Sequence, residues 1–91
     1  GNTGWSWEDV LPYFKKSEDY RISKSEFHGT NGPIKVEKIR SNFKLLDVFL
    51  EASQEFGYKK NDDFNDGDNE GMGYFPLTID KGFRCSAAVA F

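Results

Sequence analysis

The chain has 91 residues, room for one small domain, and its 12 Lys and Arg against 15 Asp and Glu leave a net charge of −3. That balance offers no basic footprint for nucleic acid, and 37% hydrophobic with 16% aromatic residues is not a disordered composition. A single cysteine, Cys85, excludes an intrachain disulfide scaffold, and no apolar run is long enough to predict a transmembrane segment.

Taken in order, Gly1 to Gly4 reads as a turn, and Ser6 then stands at an N-cap position with Asp9 as a short version of the capping-box acid. Trp7, Val10, Leu11 and Phe14 follow at i, i+3, i+4 and i+7, which predicts a helix near 7–17 with one apolar stripe. Pro12 removes the bond to the carbonyl of Glu8, so a kink or a second helix start is expected there. Asp19 to Asn31 is polar and irregular. Pro33 opens a strand near 33–37, with Ile34 and Val36 on one face and Lys35 and Glu37 on the other.

The strongest helical pattern lies near 43–56. Leu45, Phe49, Ala52 and Phe56 fall on one stripe, with Leu46, Val48 and Leu50 widening it. Ser41 or Asn42 is the expected cap, and Gly57 suits the left-handed position after the last turn. An acidic loop, Asp62 to Gly71, precedes a strand predicted near 72–79, whose Phe75, Leu77 and Ile79 face one way and Tyr74 and Thr78 the other. The apolar face of that strand is expected to bury Leu45, Phe49 and Phe56. Asp80-Lys81-Gly82 reads as a turn, and Ser86 as the N-cap of a helix that has hardly begun at Phe91. A chain that starts without Met and stops inside an apolar helical run suggests a segment of something larger. The pattern as a whole is α+β, two helices packed on short antiparallel strands.

The chemistry-bearing residues form no complete catalytic set. Setting Gly67 at position 6 of a calcium loop leaves Phe64 and Gly73 at two ligand positions, so no metal is expected and the acids serve a solvated turn. His28 is the sole histidine, in a glycine-rich loop, and is expected to hydrogen-bond the backbone. Cys85 follows Arg84 at a helix start, surroundings that depress a thiol, but no base accompanies it and packing is its expected role. Arg84 is expected in a structural ion pair. No phosphate-cradling glycine motif occurs.

Gly4-Trp5-Ser6-Trp7-Glu8-Asp9-Val10-Leu11-Pro12-Tyr13-Phe14-Lys15-Lys16-Ser17-Glu18, then His28-Gly29 with Gly32-Pro33, Phe49-x-Glu51-Ala52, Gly57-Tyr58, Asp63-Phe64-Asn65, Glu70-Gly71-x-Gly73-Tyr74 and Gly82-x-Arg84-Cys85-Ser86-Ala87-Ala88 run in one order. The series resembles the glucose–methanol–choline (GMC) flavin oxidoreductases over essentially the whole chain, and most of all their choline-dehydrogenase-like branch. Pro76 departs from the polar strand residue common in that family, and suggests a bulge or edge there. The resemblance implies a parent enzyme that oxidises a small alcohol by hydride transfer to FAD, with a catalytic His and a flavin fingerprint outside these residues. It implies that residues 1–83 belong to the substrate part and 84–91 begin the return to the FAD part. No catalytic or flavin residue carries over. The substrate-facing candidates are Tyr74 and Thr78, on the face that would roof the cavity, and the immediate partner is the rest of the parent chain, in a cytoplasmic protein. The other reading is a free-standing small α+β interaction domain, which should bury Val89 and Phe91 within itself.

Overall fold

A computed structural model describes all 91 residues. In chain order they form α1 (Trp7–Ser17), β1 (Glu18–Tyr20), β2 (Ile34–Val36), α2 (Lys44–Phe56), β3 (Ile79–Asp80), β4 (Phe83–Arg84) and α3 (Ala87–Ala90). The architecture is α+β, and the chain divides into two units. The first joins Gly1–Glu37 to Thr78–Phe91, and the second is Lys38–Leu77.

In the first unit the capping box closes α1 as the sequence dictates. Ser6 accepts from the backbone of Asp9, and the Asp9 carboxylate accepts from the backbone and hydroxyl of Ser6. Pro12 lies inside one uninterrupted helix, contrary to the second start considered above. Only one amide is missing, and the carbonyl it leaves belongs to an exposed residue, Glu8, where water can take its place. The apolar stripe of α1 is not buried: Trp7 and Phe14 are exposed, and Val10 and Leu11 are half-buried.

β1 and β2 run parallel with Glu18 opposite Ile34 and Tyr20 opposite Val36. β1 arises where the sequence reads as irregular. The connection between them folds under α1: Gly32 N–H bonds to Glu18 O at 3.0 Å, and Tyr20 N–H bonds to Gly29 O at 2.9 Å. Two glycines are required in it because a Cβ on Gly29 would lie 1.8 Å from Lys15 O, and one on Gly32 would lie 2.2 Å from the carbonyl carbon of Ser17. Tyr20, Cys85 and His28 form the small buried centre, and no large side chain is fully enclosed.

β3 and β4 are antiparallel, with Asp80 opposite Phe83. Lys81 (φ 51°) and Gly82 (φ 87°) make the two-residue loop, both at positive φ as a type I′ hairpin requires. α3 follows Ser86, whose side chain makes no capping bond.

In the second unit α2 lacks the expected Ser41 or Asn42 cap. Phe43 holds the N-cap position, and no side chain caps it. Gly57 ends the helix in the left-handed region at φ 115°. The strand expected over 72–79 does not form as such. Met72 makes one isolated parallel bridge to Lys60, and regular pairing resumes only at Ile79–Asp80. Gly71 and Gly73 pack against the backbone of Lys59 and Asn61, and Pro76 has no N–H to offer a ladder, so the alternation in this run is that of an extended loop. The expected seam is likewise absent. Leu45 (80%), Phe49 (57%), Phe56 (82%) and Phe75 (70%) are exposed. The amphipathic pattern is real, but most of its apolar side is exposed, Phe56 stacking only on Tyr58 with ring centroids 5.9 Å apart.

Candidate functional site

The two substrate-facing candidates fall in different units, Tyr74 in the second and Thr78 in the first. Without a continuous strand, alternation does not assign them a common face. Tyr74 is half-buried, and its hydroxyl donates to Asp47 Oδ1 at 2.7 Å, with Phe43 O at 3.3 Å. It thereby ties the loop to the first turn of α2, and the adjacent Asp47 carboxylate raises the phenol above its ordinary range. Thr78 is exposed, and its carbonyl accepts the Cys85 N–H at 2.9 Å.

His28 has a partner that its surroundings in sequence did not reveal. Its Nδ1 lies 2.6 Å from Glu18 Oε1, and the same oxygen accepts the Gly29 N–H at 3.2 Å. The imidazole stacks on Tyr20 with ring centroids 3.7 Å apart. The ring thus has a carboxylate partner, supplied from the end of α1 ten residues upstream. His28 is buried, and Glu18 braces the glycine loop by holding both the imidazole and the Gly29 N–H.

The largest polar constellation surrounds Arg21, which the sequence did not single out. Its Nε donates to Asp19 Oδ2 at 3.1 Å, and its Nη1 to Glu37 Oε2 at 2.7 Å and to Asp80 Oδ1 at 2.6 Å. Lys35 adds a contact of 3.6 Å to Asp19. Asp80 and Glu37 push the guanidinium further up, and Arg21 in return holds the Asp80 carboxyl below the usual carboxylate range. No local pattern announced this cluster, because its acids come from separate stretches of the chain. Arg84, expected in an ion pair, instead stands exposed on the short β4 without one.

The acidic loop turns its carboxylates on its own backbone. Asp63 accepts from Asn65 N at 2.9 Å and Asp68 from Glu70 N at 3.0 Å. Asn61 clips the loop by donating to the carbonyls of Asp68 and Glu70, both at 2.9 Å. Lys59 pairs closely with Asp68, which lowers that carboxyl and raises the ammonium. Cys85 is buried with Sγ 3.6 Å from Pro33 O, the packing role expected of it. Along α1, an open cavity of about 530 Å³ is lined by Gly4, Trp5, Val10, Tyr13, Phe14 and Ser17.

The fold and these motifs match known proteins over the full chain. The GMC oxidoreductase family model aligns with residues 1–91. The chain belongs to the GMC oxidoreductase family. Among GMC oxidoreductase relatives, mitochondrial choline dehydrogenase of Homo sapiens is 38% identical over 91 residues, covering 100% of this chain and 15% of that protein. An oxygen-dependent choline dehydrogenase of Brucella ovis is 40% identical over the same length, 17% of its own. The crystal structure of pyridoxine 4-oxidase from Mesorbium loti superposes with a TM-score of 0.85 at 30% identity, covering 99% of this chain and 18% of that one. The chain therefore spans less than a fifth of the length of each of these three proteins. No helix in it is long and apolar enough to cross a membrane.

Proposed function

We propose that these residues are a segment of an FAD-dependent oxidoreductase that oxidises a small alcohol by hydride transfer to flavin. The observation that carries this reading is the unbroken match of all 91 residues to choline dehydrogenases of which they form only 15–17%. The catalytic His and the flavin fingerprint lie in the remainder of the parent protein, and this segment is inactive alone.

The residues present do not fit FAD by themselves, and no step of the reaction is routed through them. The N-terminus of α1 is capped by Ser6 and carries Glu8 and Asp9 in its first turn, a charge that repels a pyrophosphate. The first turn of α2 carries Asp47. Gly29 and Gly32 receive the backbone of α1, so they are not a cradle for phosphate. In this reading residues 1–83 belong to the substrate part and 84–91 begin the return toward the FAD part. The exposed Val89 (70%) and Phe91 (80%) favour a segment completed by the rest of the parent chain over a free-standing interaction domain.

Tyr74 and Thr78 face the substrate in this proposal. Because the Tyr74 hydroxyl is engaged by Asp47, the contribution of Tyr74 is its ring. Two measurements test the reading. Full-length protein should carry stoichiometric flavin, reduced anaerobically by choline or a related alcohol, while the 91-residue chain mixed with FAD and desalted should retain none. A full-length protein without flavin overturns the function, and flavin retained by the short chain overturns the placement of the fingerprint. Tyr74→Ala in the full-length enzyme should change kcat/KM unequally across alcohols of different size with flavin content unchanged. Identical kinetics across that series remove Tyr74 from the cavity.

A further inference from the structure

We propose that Arg21 is a positioning residue: acting through Glu37, it holds the strained Lys81–Gly82 turn and staples together the two places where the chain leaves and re-enters the first unit. The first unit is discontinuous, interrupted after Glu37 and resumed at Thr78. Those two points are where the Arg21 side chain reaches. One Nη1 atom bonds Glu37, the last residue before the interruption, and Asp80, two residues after the resumption. Its Nε holds Asp19 in β1, and its own N–H bonds Val36 O at the end of β2. One residue, through its side chain and its N–H, thus joins β1, the end of β2 and β3.

Lys81 is the second link. It is the sole non-glycine residue at positive φ, a conformation that L residues adopt only when their surroundings impose it. Its N–H lies 3.2 Å from Glu37 Oε1 and 3.3 Å from Oε2. Arg21 fixes the carboxylate that fixes this amide. Asp19 and Glu37 are largely covered, with side-chain exposures of 16% and 14%, so the acids are screened less by water than a surface pair would be. A guanidinium suits the position because its planar fork addresses Asp19 from one nitrogen and two acids from another, which a lysine ammonium cannot reproduce.

The test is residue-resolved amide hydrogen exchange on the full-length protein. Arg21→Gln should speed exchange at the Lys81 amide about tenfold or more, the scale of one lost charge-assisted bond, and should also speed the amide of residue 21. The amides of Val10, held by the α1 cap, and Met72, held by Lys59 O, should keep their wild-type rates. Arg21→Lys should fall between wild type and Arg21→Gln. Glu37→Ala should match Arg21→Gln at Lys81, and combining the two should add nothing, because one acts through the other. Should Arg21→Gln not fold, Arg21→Lys and Glu37→Gln carry the test, each required to speed Lys81 more than Val10. Unchanged Lys81 exchange overturns the proposal. So does a uniform rise at all four amides, or full additivity of the double variant.

Discussion

Gly29→Ala gives the sharpest test of how the first unit is packed. The added Cβ would sit 1.8 Å from Lys15 O, 2.7 Å from Lys15 C and 2.8 Å from Glu18 O. These are backbone atoms at and just after the end of α1, so no rotamer change relieves the overlap, and the loop must retreat by roughly 1.5–2 Å to regain van der Waals distance. Retreat strains or breaks the Tyr20 N–H bond to Gly29 O at 2.9 Å and the Gly29 N–H bond to Glu18 Oε1 at 3.2 Å. Overpacking contributes about 1–3 kcal/mol and each lost bond about 0.5–1.5 kcal/mol, so a destabilisation of about 3–5 kcal/mol is expected. Urea unfolding of the full-length protein measures it, provided the slope is unchanged. Gly57→Ala is the control. Nothing lies within 4 Å of its Cβ position, but its φ is 115°, so only the dihedral term of about 1–2 kcal/mol applies. A Gly29→Ala effect below about 0.5 kcal/mol, the range of surface substitutions, or one smaller than Gly57→Ala, would show that α1 and this loop are not in contact.

Three further outcomes follow from named contacts. If the rest of the parent chain covers the α2 face, Phe49→Ala in the full-length protein should cost about 3–5 kcal/mol, as for a core Phe; an effect below about 1 kcal/mol in urea unfolding would leave that face in water. Tyr74 should ionise above the usual value of about 10, since its phenolate would confront Asp47; ultraviolet absorbance titration reads this, and Asp47→Asn should return it to the ordinary range. Asp80, held low by Arg21, binds its proton more weakly folded than unfolded, so its contribution is complete above the unfolded carboxylate value of about 3.9 and is lost as pH falls through the lower folded value. Asp80→Asn should flatten that part of the stability profile, and an unchanged acid limb would refute the pairing.

The helices were legible because caps and stripes act locally. Ser6 and Asp9 announce α1, and Gly57 closes α2 by the only conformation that suits it. The second start expected as one outcome at Pro12 did not occur because its missing bond falls on the water-facing side of α1. β1 was hidden because Glu18-Asp19-Tyr20 carries no alternation, and its pairing with Ile34–Val36 depends on a distant segment. The run after Met72 misled in the opposite way: an extended loop pinned by Asn61 has the same period of two as a strand. The arginine cluster was out of reach because its members come from three stretches of chain, and nothing within any one of them signals the others. The apolar stripes were read correctly as pattern, but a stripe does not state what covers it.

The interruption between Glu37 and Thr78 also sets an order of folding events. The β3–β4 hairpin is local and has a turn suited to its twist, so it can form on the microsecond scale of isolated hairpins. Docking it beside β2 is different, since the chain must first close a loop on the order of 40 residues, with a length-dependent entropic cost of about 3 kcal/mol. The contacts among Arg21, Glu37 and Asp80 reward that closure only once it is complete. Their loss should therefore accelerate unfolding while leaving the folding rate nearly unchanged.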